Sequence, residues 1–163
     1  MVSQVAVWKS TGTTTSQHTG VVDVVNGVTL RFGVHSWKMR LMETVATGFF
    51  QRKTTGMGIV AADVVAQAGL PSNLHTAEGA WGYYSHGDVW HASTELGQFV
   101  PYNHVNAVVT FTLDLRTTGS LWAAVDDLPA IELSSNLLEV SDAFVPATYV
   151  HGESQVEFMG FVE

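Results

Sequence analysis

The chain has 163 residues, no cysteine and a formal net charge of −8, with 46% hydrophobic and 13% charged residues. One domain is the default at this length, and it can bury roughly 70% of its unfolded surface without covalent staples. Disulfides and cysteine-ligated metal are excluded, and no apolar run approaches the roughly 20 residues that span a bilayer.

The charge is uneven. Residues 1–81 carry six of the seven basic residues and four acids, +6 − 4 = +2; residues 82–163 carry +1 − 11 = −10. Phosphate binding wants clustered Lys and Arg, so nucleic acid is a poor partner, whereas a basic peptide or protein is steered toward such a surface. Met1 to Lys9 lack a basic stretch followed by an apolar one, so no secretory signal is expected and the location is read as cytoplasmic.

Val5 to Trp8 reads as a short strand and Ser10 to Gly20 as loop. Val21 to Val25 and Val28 to Phe32 flank Asn26-Gly27, which predicts a hairpin because both residues tolerate positive φ. In the second run Val28, Leu30 and Phe32 share a face. Ser36 to Leu41 alternates, with Trp37, Met39 and Leu41 inward. Met42 to Thr55 is a long connection. Gly56 to Ala61 reads as a buried strand whose glycines permit close backbone approach. One short helix is expected over 63–70, capped by Asp63 and stopped by Pro71.

Ala80 to Tyr84 and Asp88 to His91 read as strands about a tight turn at Ser85-His86-Gly87. Glu95 to Asn106 reads as loop. Val108 to Leu115 then places Val109, Phe111, Leu113 and Leu115 on one side, Gly119 marks the turn, and Leu121, Ala123 and Val125 return. A hairpin with one greasy side needs another sheet to cover it. Asp126 to Asp142 reads as an acidic connection, and Phe144 to Tyr149 and Gln155 to Phe161 as two closing strands. Many short strands with almost no helix indicate an all-β sandwich or barrel in one domain, 1–163.

Catalytic chemistry finds little purchase. Gly-x-Ser-x-Gly does not occur, and no histidine sits in a context that marks a base. His-x-His and His-Glu-x-x-His spacings are absent, and the spaced acidic loop of a calcium site is missing, so neither metal nor cofactor is expected.

The order of these pieces resembles the SPRY domain family. The resemblance rests on Gly33-Val34-His35-Ser36-Trp37-Lys38-Met39, on Gly56-Met57-Gly58-Ile59-Val60, on Gly79-Ala80-Trp81-Gly82-Tyr83 with Val89-Trp90-His91, and on Val109 to Leu121 with Leu113-Asp114-Leu115. It covers about Val21 to Phe161. It departs at Asp126-Asp127, where the family commonly has Asn-Gly. The resemblance implies a bent sandwich of two antiparallel sheets and a non-enzymatic module that binds a peptide or protein through loops at one end or on a concave face.

Candidate partner-binding residues follow from loop position and residue type. Phe49, Phe50 and Arg52 lie in the 42–55 connection; Tyr84, His86, Asp88 and Trp90 surround a turn; Asp126 and Asp127 supply acid. Alternatives are a structural subunit of a larger assembly, suggested by the low charged fraction, and a carbohydrate-binding sandwich.

Overall fold

The computed structural model describes residues 20–43, 55–151 and 155–162. Within them the elements run β1 (Gly20–Val24), β2 (Val34–Glu43), β3 (Thr55–Ala61), α1 (Ala62–Ala68), β4 (Ala80–Tyr84), β5 (Asp88–His91) and β6 (Thr94–Gln98). They continue with β7 (Val108–Asp114), β8 (Ser120–Val125), β9 (Ile131–Ser134), a 3-10 turn (Leu137–Glu139), β10 (Phe144–His151) and β11 (Gln155–Val162). One antiparallel sheet has the order β1-β10-β3-β4-β5-β6, the other β11-β2-β7-β8-β9. The expected all-β sandwich of two antiparallel sheets with one short helix is what forms.

Alternation builds the seam between the sheets. In β7 and β8 every second residue is buried, and Phe111 lies opposite Ala123 and Leu113 opposite Leu121. On β2, Trp37, Met39 and Leu41 have no exposed surface. The Trp37 ring stacks on Phe111, with centroids 5.5 Å apart and planes 18° from parallel. Met57, Ile59, Trp81 and Tyr83 of the other sheet complete the same cluster.

β3 is buried at all seven positions, because the six-stranded sheet is covered on both faces. Its inner face meets the second sheet. Its outer face carries Val60, Ala80, Tyr84, Ala147 and Tyr149, on which Leu74 of the 69–79 segment packs. A Cβ on Gly58 would stand 1.8 Å from the Trp81 carbonyl oxygen, so only glycine lets β3 and β4 approach this closely.

Several expectations are corrected. Asn26-Gly27 makes no hairpin. β1 pairs with β10 as far as Val24 opposite Ala147, and Leu30 then bridges Phe144 farther along the same strand. The turn is an excursion within one edge. Only Gly27 has positive φ (76°), whereas the two-residue hairpin turn of that type needs it at both central positions. Phe32 is 77% exposed, because Leu30 alone of its run is bridged and the chain bends at Gly33. The helix begins at Ala62, with Asp63 inside its first turn; Asp63 accepts a hydrogen bond from Ser141 Oγ (3.1 Å) and caps nothing. Gly69 ends it at φ 77°, two residues before Pro71.

The 95–106 loop contains most of β6, and the 126–142 connection contains β9 and the 3-10 turn. β10 and β11 close the chain in different sheets. The expected strand at Val5 to Trp8 lies outside the described residues.

The β5–β6 turn places Ala92 (φ 48°) and Ser93 (φ 67°) in the left-handed region, which non-glycine residues occupy at a cost. Ser93→Gly is therefore expected to raise stability by about 1 kcal/mol in urea unfolding. Gly58→Ala is expected to lose more than about 4 kcal/mol, or to prevent folding, as read by the same titration or by soluble yield.

A candidate interaction surface at one end of the sandwich

Antiparallel register decides which loops share an end. Arg40 pairs with Val108, Val109 with Val125, Gly56 with Tyr84, Thr55 with Val150 and Glu43 with Gln155. The end of β2, the start of β3, the 85–87 turn, the approach to β7 and the turn after β8 therefore lie together. The 116–119 turn and residues 137–142 lie at the opposite end.

Residues 99–107 cross from one sheet to the other and tie this end together. Phe99 N–H donates to the Gly87 carbonyl (2.7 Å) and Tyr102 N–H to the Ser85 carbonyl (2.9 Å). On the other sheet, Asn106 N–H donates to the Leu41 carbonyl (2.7 Å) and Leu41 N–H to the Ala107 carbonyl (2.9 Å). The fully buried Tyr102 donates its hydroxyl hydrogen to the Tyr83 carbonyl, and Tyr83 donates its own to the Val100 carbonyl. A loop anchored at so many points holds its side chains on a rigid frame.

Asp126 is the hinge of the acidic turn. Its φ of 50° is one that Asp tolerates better than most residues. Oδ1 accepts the Val108 N–H at 3.0 Å and Oδ2 lies 3.0 Å from His104 Nε2. The Val108 N–H first, and the neighbouring His104, hold the Asp126 carboxyl below its usual pKa. Asp127 beside it is exposed.

The expected site residues divide. His86, Asp126 and Asp127 are exposed at this end. Asp88 is buried beneath it and accepts the Trp90 Nε1–H at 2.7 Å. Tyr84 is fully buried and faces the outer side of the six-stranded sheet. Its hydroxyl accepts the Leu74 N–H (3.3 Å) and pairs with His75 Nδ1 (2.9 Å), and burial drives its pKa far above that of a free tyrosine. Trp90 is half-buried on that outer side, its ring 6.2 Å from His75. The pleat thus turns Tyr84 and Trp90 away from the loop end. Phe49, Phe50 and Arg52 lie outside the described residues.

Sequence reasoning missed His104, whose partner Asp126 is 22 residues away. It also missed Val105, 52% exposed in the same loop. Pro101 and Asn103 mark that stretch as loop, but nothing local assigns it to this end. Among the described residues, no three His, Asp or Glu side chains are grouped to hold a metal ion, and no helix is long and apolar enough to cross a membrane.

Two antiparallel sheets face to face, with loops gathered at their ends, define an all-β sandwich. Its architecture is that of SPRY domains. The chain superposes on the SPRY domain of human HERC1 with a TM-score of 0.70 at 12% identity, covering 88% of this chain and 84% of that one. The PSpry domain of TRIM65 gives a TM-score of 0.57 at 12% identity, over 81% of this chain and 65% of that one. Stonustoxin gives 0.52 at 15% identity, over 79% of this chain and 19% of the toxin. No family model matches the chain, and no curated protein matches it at significance.

Because the folded pKa of Asp126 is depressed, its contribution is present above the unfolded pKa, about 4, and is lost as pH falls through the lower folded value. Asp126→Ala is expected to cost under about 1 kcal/mol at neutral pH, since the group is largely exposed, and to leave a flatter acid limb. Urea midpoints measured against pH check both.

Proposed function

We propose that this chain is a non-catalytic protein-interaction module that binds a basic peptide or protein at the loop end of its sandwich. The observation that carries the reading is the convergence of the 85–87 turn, the 99–107 crossing and the 126–130 turn on one anchored end. His86, His104, Asp126 and Asp127 are exposed there, within the half of the sequence that carries −10. Carboxylates on a rigid frame select cationic partners and speed their arrival. Phe49, Phe50 and Arg52 belong to the connection that leaves and re-enters this end, and we include them in the proposed surface.

Proximity labelling in cells supplies the partner, and calorimetry then tests the surface. His86→Ala and Asp127→Ala are each expected to weaken binding by about 1–2 kcal/mol, roughly tenfold in Kd, with folding unchanged. Tyr84→Phe is expected to cost about 1 kcal/mol of stability and leave affinity intact. Full affinity in both surface variants would contradict the placement.

A second reading rests on Trp122. It lies on the outer side of the five-stranded sheet, opposite Thr112 and Glu132, and donates its Nε1–H to Ser120 Oγ at 3.1 Å. A partly exposed indole among hydroxyl and carboxylate groups suits stacking against a sugar ring. Glycan-array binding that disappears in Trp122→Ala would favour this reading, and a silent array would remove it.

A further inference from the structure

Asn26-Gly27 has a role to be explained once its hairpin is gone. Of the five asparagines, only Asn26 precedes a glycine; Asn73, Asn103, Asn106 and Asn136 precede Leu, His, Ala and Leu. Asn26 and Gly27 are both exposed. The turn is fixed on either side, by Val25 N–H on the Pro146 carbonyl (3.1 Å) and by the two Leu30–Phe144 bonds (2.7 and 3.0 Å). Between those anchors, no hydrogen bond ties the Asn26 side chain or the Gly27 N–H to another described residue. Nothing lies within 4 Å of the point where a Gly27 Cβ would stand. Asn73 contrasts with this: its Oδ1 accepts from His75 N, Thr76 N and Thr76 Oγ1 at 2.7–3.0 Å.

We propose that Asn26 is a site of spontaneous covalent modification, its side-chain amide passing through a cyclic imide to aspartate and isoaspartate. The Gly27 main-chain nitrogen gives its proton to hydroxide and attacks Asn26 Cγ. A C–N bond forms, the bond to the side-chain NH2 breaks, and that group takes a proton from water and leaves as ammonia, which restores the hydroxide. Water then adds to one of the two imide carbonyls. Opening at Cγ leaves aspartate; opening at the main-chain carbonyl leaves isoaspartate, in which Cβ and Cγ replace the carbonyl carbon in the backbone and lengthen it by one atom. Glycine permits the attack because no side chain crowds the nitrogen, and asparagine is among the chemically labile residues. Either product makes the chain one unit more acidic than its −8. The excursion between Val25 and Leu30 absorbs the extra backbone atom without moving the paired register of β1.

The test incubates the folded full chain in mildly alkaline buffer and follows each asparagine by peptide mass mapping, with isoaspartate detected by enzymatic methyl-ester labelling. Conversion at Asn26 is expected to outrun conversion at Asn73, Asn103, Asn106 and Asn136, with an acidic shift on isoelectric focusing. Gly27→Ala is expected to drop Asn26 to the level of the other four. Asn26→Ser, which removes the amide, is expected to abolish the acidic form. Circular dichroism verifies that both variants fold. Asn26 converting no faster than the other four in the folded chain would overturn the proposal, as would Gly27→Ala converting at the wild-type rate.

Discussion

The two sheets meet through one layer of side chains, and the rest of the molecule follows from that contact. Trp37 lies flat on Phe111 within one sheet, and Met57, Ile59, Trp81 and Tyr83 of the other sheet close over the same cluster. Burying such aromatic area is the largest favourable term available to a chain without cysteine. Once the two faces are opposed, strand directions determine which connections lie at each end. That register brings the loops to one end, and the hydrogen bonds of the 99–107 crossing then tie them together.

The six-stranded sheet answers a second demand. Its outer face is too apolar to meet water, so the chain spends residues 62–79 covering it. Leu74 fills the space above Gly82, where a Cβ would come within 2.7 Å of the leucine's own Cβ. Tyr84 serves this cover: a tyrosine with its hydroxyl bonded to Leu74 and His75 pins the segment to the sheet. β4 therefore hides Tyr84 in the outer core, and the turn that follows it presents His86 at the end of the sandwich.

The strands with one buried face were legible because period two is a direct imprint of the pleat. β2, β7 and β8 stand where their alternation puts them, and β3 reads as a continuous buried run because it is covered twice. β6 and β9 were not legible. β6 is an edge strand with exposed residues at four of its five positions, so it carries no apolar alternation and composition alone reads it as loop. β9 is an edge strand of only four residues, too short for its pattern to stand out from the connection around it. Asn26-Gly27 misled because turn chemistry specifies a local bend and says nothing of which strand receives the chain afterwards. For the proposed surface, residue type singled out His86, Asp126 and Asp127, which lie exposed at the loop end. The direction of Tyr84 and the pairing of His104 with Asp126 depend on contacts across the fold, which single-sequence patterns do not carry.

The measurement that tests this account most directly is a backbone amide chemical-shift map of the labelled chain, titrated with its recovered partner. The account predicts changes concentrated at 85–87, 99–107 and 126–130. Changes concentrated instead at 116–119 and 137–142, at the other end of the sandwich, would contradict it.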